Sequence, residues 1–248
     1  MDFEYLLKLK RAQMRFDAEK KPHVLASLDE LWQKHAGAKA LVVASGPSCN
    51  LIDVPAEVEK ADIVLGTNWI YRRFPDLDYT YMVTCETSPI LDMPKHLAEK
   101  TITFARTKGG RKERTWMRVY AAVSHYGKKD FKPMKKGKAI SSAFNAGMGS
   151  VSLAAYMGAK EIRVIGMDFT DIDGKNYHCY DDSALHQGKG WTEQRMCDDY
   201  ARQYKVNNYE RINNHMNGFM VWAGEHGVSV VNLSPITNLD FGRKGVSS

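Results

Sequence analysis

The chain has 248 residues, 44% of them hydrophobic, and a formal net charge of +6 at pH 7. That length can bury one sizeable core, and single α/β domains of this size are ordinary. No apolar run approaches the roughly 20 residues that cross a bilayer, and the opening Met1-Asp2-Phe3-Glu4-Tyr5 lacks the charged-then-apolar pattern of a signal peptide, so a cytoplasmic protein with no membrane span is expected.

Residues 1–36 are polar with a helical recurrence of Phe3, Leu6, Leu7 and Leu9, then Val24, Leu25, Leu28, Leu31 and Trp32. Pro22 divides them into two expected helices. The first predicted strand, Lys39 to Ser45, is a continuous apolar run that leads directly into Gly46-Pro47-Ser48-Cys49-Asn50. A buried strand followed by a glycine turn is how a nucleotide-binding β-loop-α unit begins. It is not a Walker A loop, because no Gly-Lys-Ser/Thr follows.

A second strand, Asp62 to Thr67, ends at Asn68, whose amide could reach a base or ribose or could cap a helix. Further strands are expected over Asp78 to Thr84 and Lys100 to Ala105. The segment from Arg106 to Lys138 then carries twelve Lys/Arg against Glu113 and Asp130. Its charge of +10 leaves the remaining chain at −4, so the basicity belongs to one region. Trp116, Tyr120, Tyr126 and Phe131 are interleaved with it. This mixture fits a mobile lid over a polyanion or a surface that follows a phosphate backbone, with Lys128, Lys129, Lys135 and Lys136 as candidate contacts; a plain solvated face is the bland alternative.

The stretch from Asn145 to His178 collects the most chemistry. Asn145-Ala146-Gly147-Met148-Gly149 reads as a glycine-bearing turn, Ser150 to Met157 as a short helix ended by Gly158, and Glu161 to Met167 as a buried strand. Gly147 and Gly149 allow close backbone approach, and the N–H groups of a helix's first turn can hold an anion. The strand runs into an acidic loop with Asp168, Asp171, Asp173, Tyr177, His178, Tyr180 and His186. In open α/β sheets ligands bind outside the carboxyl ends of the strands. Three carboxylates within six positions could hold Mg²⁺ or Mn²⁺, although Asp171 to Gly174 also suits a turn, and no dedicated metal site is assigned.

After this come a long helical pattern from Trp191 to Glu225, with a break expected near Asn207-Asn208 or Asn213-Asn214, and a last strand from Val228 to Leu233 followed by Ser234-Pro235. Cys49, Cys85, Cys179 and Cys197 are scattered without a Cys-x-x-Cys pair, which suits reduced thiols. The expected architecture is α/β: a single Rossmann-like nucleotide-binding domain over 37–248 with a mainly parallel sheet, N-terminal helices over 1–36 and a basic lid-like insertion over 106–138.

The order of motifs resembles two related groups, glycosyltransferase family 42 (the Campylobacter-type sialyltransferases) and the MptE-like 6-hydroxymethylpterin diphosphokinases. The resemblance rests on Gly46-Pro47-Ser48 after the first strand, Asn68-Trp69 after the second, the run from Gly158 to Phe169, and Ser234-Pro235 after the last strand, and it covers about residues 38 to 240. It implies that Gly46, Pro47, Ser48 and Asn68 line a nucleotide site and that Asn145, Gly147 and Gly149 meet phosphate or sugar. Tyr177 falls where those sialyltransferases place a tyrosine against the leaving phosphate. The sequence departs from them at Thr170, where a second tyrosine would stand, and near Glu210, where the general-base histidine would stand.

The activity this implies is transfer of a sugar from a CMP- or UDP-linked donor to a hydroxyl acceptor. A polyanion such as phage-type hydroxylated DNA, held by residues 106–138, is the acceptor suggested by the basic segment. His178 is the first candidate for general base and His186 the second, with Asp168 and Tyr177 beside them, since histidine exchanges its proton near neutral pH. A diphosphokinase using ATP and a divalent metal on a pterin-like alcohol, and a non-catalytic nucleotide- or nucleic-acid-binding protein, remain as alternatives.

Overall fold

The computed structural model describes residues 24–85, 89–90, 93–105, 119–126, 131–143, 145–169, 178–179 and 209–239. Its centre is a sheet of nine strands: β1 Val24–Ala26, β2 Lys39–Val43, β3 Ile63–Thr67, β4 Tyr81–Thr84, β5 Thr101–Ala105, β6 Val119–Tyr126, β7 Ile140–Ser141, β8 Glu161–Ile165 and β9 Ser229–Asn232. The order across the sheet is β1-β6-β5-β4-β3-β2-β8-β9, with β7 beside β6, and every pairing is parallel. Strands β4-β3-β2-β8-β9 thus have the 3-2-1-4-5 arrangement of a Rossmann-like fold. The chain reverses its direction of travel across the sheet between β2 and β8, which is where a crevice opens.

Both faces of the central strands are covered, which explains why they read as unbroken apolar runs. Ala40, Val42, Ile63, Leu65, Val83, Ile162 and Val164 face one core, and Leu41, Val43, Val64, Met82 and Ile165 face the other. The helices are α1 Leu28–Leu31, α2 Val54–Val58, α3 Lys95–Ala98, α4 Ala146–Tyr156 and α5 Tyr209–Glu225. Helix α4 lies on the first core and all its residues are buried, so it needs no polar stripe. Two short 3₁₀ turns, Pro47–Asn50 and Ile70–Arg72, follow β2 and β3.

The sequence expectations hold for β2, β3, β4, β5, β8 and β9 with trimmed ends, and differ in four places. Residues 24–26 do not continue a helix but form the edge strand β1, because they pair with Val119 and Ala121 of β6. Residues 119–126, inside the segment expected as a lid, are an interior strand paired on both sides. Val119-Tyr120-Ala121-Ala122-Val123 can occupy that position because the cations lie outside it in sequence. Helix α4 starts at Ala146, so Gly147 and Gly149 are not a turn ahead of it but part of its first turns. Helix α5 continues through Asn213 and Asn214 with no break there. Residues 1–23 and 191–208, where further helix is expected, lie outside the described residues, as do Trp116 and most of the basic segment.

Candidate functional site

The loops that follow β2 and β8 stay zipped beyond the strand ends: the N–H groups of Ala44 and Gly46 donate to the carbonyls of Ile165 and Gly166 at 2.8 Å each. This draws Gly46 so close to the β8 loop that a Cβ on it would sit 2.5 Å from both Gly166 O and Asp168 Oδ2. Gly166, at φ 75°, takes a conformation that side chains disfavour, and a Cβ there would meet Ala44 O at 2.4 Å. The two glycines are therefore required by close backbone approach.

Asp168 fixes the same junction. Only 1% of its surface is exposed, and its carboxylate accepts the Ser48 N–H through Oδ2 and the Ser48 hydroxyl through Oδ1, both at 2.7 Å. The Ser48 Oγ in turn accepts the Gly166 N–H at 3.1 Å. Burial pushes the Asp168 carboxyl above the usual carboxylate range, opposed by hydrogen bonds from Ser234 and Ser48. Thr237 donates to the Met167 carbonyl at 2.9 Å and the Asn238 N–H to that of Asp168 at 2.8 Å, closing the turn from the β9 side.

The resulting cleft, with a cavity volume of about 100 Å³, lies between β2, β3, β8 and the start of α4, and is lined by Gly46, Asn68, Asn145, Gly147, Asp168 and His178 among others. It brings six of the sequence-predicted residues together. Asn145 caps α4, its Oδ1 accepting the Met148 N–H at 3.0 Å. The N–H groups at the start of that helix have no intrahelical acceptor, and Ala146 and Gly147, which carry two of them, line the cleft. Asn68 is not a helix cap: it stands at φ 49°, and its Oδ1 is buried with no hydrogen-bond partner among the described residues. Phe169 on the opposite side is at φ 53°, unusual for a bulky residue.

Other candidates lie elsewhere. Pro47 and Ser48 are buried behind the cleft in the 3₁₀ turn. Gly149 faces Phe104, whose Cε2 would be 2.4 Å from an added Cβ, so this glycine serves helix-on-strand packing. Lys135 and Lys136 are exposed near Gly137, whose N–H donates to the Tyr156 hydroxyl at the far end of α4. They are thus at the far end of α4 from the cleft. Tyr177, Tyr180, His186, Asp171, Asp173, Lys128 and Lys129 lie outside the described residues.

Ala44, Ser45, Thr67, Ala146, Gly166 and Phe169 also line the cleft. Their signal in the sequence is position alone, at strand ends and the helix start. Cys49 and Cys179, distant in sequence, interact: the hydrogen bond with Cys179 and burial push the Cys49 thiol well up, which keeps it protonated. Both are free thiols, and the Cys179 N–H donates to Ser45 O at 2.9 Å, holding the His178 segment beside the cleft.

Among the described residues no helix is long and apolar enough to cross a membrane, and none form a group of three or more His, Cys, Asp and Glu suited to a metal ion. No family model matches the chain, and no curated protein does. Among solved structures, the chain is similar to a mammalian sialyltransferase in complex with Gal-beta-1-3GalNAc-ortho-nitrophenol, at 14% identity over 80% of this chain and 84% of that one, with a TM-score of 0.35. A second crystal structure of a mammalian sialyltransferase matches at 15% identity over 80% and 83%, again with a TM-score of 0.35.

Proposed function

We propose that the protein is a nucleotide-sugar-dependent glycosyltransferase acting on a hydroxyl acceptor. The observation that carries this reading is the cleft at the β2/β8 crevice, where a helix N-terminus, the unpaired Asn68 amide oxygen and His178 border one space. The donor's phosphate belongs at the Ala146 and Gly147 N–H groups, where the helix dipole favours an anion. Asn68 Oδ1 accepts a hydrogen bond from the ribose or the base. The acceptor oxygen forms its bond to the anomeric carbon as the bond from that carbon to the donor phosphate breaks. His178 takes the acceptor proton, and the helix N–H groups meet the charge that grows on the leaving oxygen. Asp168, committed to Ser48, positions the Gly46 turn and takes no proton in this scheme. Tyr177 against the leaving phosphate and His186 as an alternative base belong to the same reading.

Thermal-shift titration with CMP, UDP, GDP and ATP tests the donor, since a ligand specific to the native state raises the melting temperature. A response to CMP or UDP is expected; a response to ATP alone, dependent on Mg²⁺, favours the diphosphokinase reading. With the donor known, His178→Ala is expected to lower turnover by about 10²-fold or more while donor binding persists. Unchanged turnover removes His178 from the mechanism.

A further inference from the structure

A second cavity, of about 230 Å³, lies at the other end of α4, where Trp32, Tyr156, Trp222, His226, Met134 and Lys160 meet. Helix α4 has 11 residues, which puts roughly 16 Å between this cavity and the cleft at about 1.5 Å per residue. The cavity is aromatic. Trp222 and His226 stack with ring centroids 4.3 Å apart at 21°, and Trp32 meets Tyr156 edge-on at 4.8 Å. Phe219 stacks on Trp222 at 5.9 Å, and Phe131 lies 6.4 Å from it, so the indole is held from behind.

The rim is basic. The Lys160 ammonium is fixed on the His226 carbonyl at 2.8 Å and lines the cavity. Lys135, Lys136 and Lys138 are exposed on the turn that Met134 and Gly137 anchor, through burial and through the Gly137 N–H to the Tyr156 hydroxyl at 2.9 Å. Lys132 is exposed next to Phe131. Among the described residues, Lys132, Lys135, Lys136, Lys138 and Lys160 outnumber the acids on the same elements, Asp29, Glu30, Glu161 and Glu225. Flat aromatic faces beside a cationic rim form the combination that holds single-stranded nucleic acid, with bases on the rings and phosphates on the lysines.

We infer that this cavity and its lysine rim bind single-stranded nucleic acid, a base entering beside Trp222 and His226 and the backbone passing over Lys135, Lys136, Lys138 and Lys160. The site is separate from the cleft and does not depend on sugar transfer there. It also accounts for a basic turn that faces away from the cleft.

Fluorescence anisotropy with a fluorescein-labelled oligothymidylate tests this on the full chain. Wild-type binding is expected to weaken steeply with salt. Trp222→Ala combined with His226→Ala is expected to lower affinity about tenfold, the scale of one lost stacking contact. His226→Ala alone, an exposed change, is expected to act in the same direction, and Trp222→Phe to retain most of the affinity. Lys135→Ala, Lys136→Ala and Lys138→Ala together are expected to flatten the log-affinity against log-salt slope by about 0.7 per lost phosphate contact. Full affinity in both His226→Ala and the aromatic double variant, an unchanged salt slope in the lysine variant, or thymidine monophosphate binding as tightly as the strand would each overturn the inference. The thermal response to nucleotides in the cleft, read on the same variants, reports separately on the transfer reading.

Discussion

The two ends of α4 differ in what the backbone leaves available. At its C-terminal end the carbonyls of Tyr156, Met157 and Gly158 already accept the N–H groups of Gln33, His35 and Gly37 at 3.1, 2.7 and 2.9 Å. The backbone there is saturated, and only side chains remain to meet a partner: aromatic rings and lysines. At the N-terminal end Asn145 satisfies the Met148 N–H, while Ala146 and Gly147 before it line the cleft. That end offers backbone donors and the positive end of the helix dipole, and it is walled by small residues that let a ligand approach. One buried helix therefore presents two chemistries, decided by how completely each terminus is capped.

The contrast can be broken most strongly at Gly166. Gly166→Ala places a methyl 2.4 Å from the Ala44 carbonyl and forces a side chain into positive φ. A loss of about 3 kcal/mol is expected in denaturant unfolding, together with loss of nucleotide binding, since the crevice backbone must move. Wild-type stability in this variant would mean that the tight β2/β8 junction is not required.

A smaller loss is expected at the saturated end. Tyr156→Phe removes the hydroxyl that accepts from the Gly137 N–H and donates to Leu28 O at 3.1 Å. About 1–2 kcal/mol is expected in the same unfolding measurement, with the nucleotide response of the cleft intact. A matching loss of nucleotide binding would show that the two ends act as one site.

Asn68→Gly sharpens the comparison by separating stability from binding. Glycine adopts φ 49° freely, so the apo protein is expected to hold or gain up to about 1 kcal/mol. The nucleotide-induced thermal shift is expected to shrink, corresponding to about tenfold weaker binding, because the buried Oδ1 is gone. An unchanged shift would remove Asn68 from the ligand's contacts.

The smallest effect is a pH slope near the saturated end. His35 contacts the Tyr81 hydroxyl at 2.8 Å, and burial, with the Lys34 charge, holds its pKa below the ordinary 6.5. The unfolded chain then binds the proton more tightly. Stability from this group is present above pH 6.5 and falls as pH drops from there towards the lowered folded value. His35→Gln is expected to flatten that part of the stability profile; the same slope in both proteins would assign it to another group.

Much of this was readable in the sequence, and the missed parts have physical causes. Strands β2, β3 and β5 are buried on both faces, so local composition announces them. β6 escaped because Ala121, Ala122 and Ser124 carry little strand signal and cations crowd its flanks in sequence. The central glycines were visible, but their purposes were not. Gly147 borders the cleft while Gly149, two residues on, packs on Phe104, because successive helical positions point about 100° apart. Asp168 stands in sequence among the polar residues that follow a strand, but nothing local announces that both its oxygens engage Ser48, 120 positions away.

The sequence by itself determined the α/β class, the order of most strands along the chain and the places where polar residues follow them, because strand burial and turn chemistry are written within a few neighbouring residues. The tertiary structure alone decided which strands are neighbours, and hence that the crevice opens between β2 and β8. It also decided that Gly46, Asn68, Asn145 and His178 share one cleft while Lys135 and Lys136 lie at the far end of α4. Those relations depend on pairings between residues far apart in the chain, and on the close approach of backbones that only the folded sheet brings together.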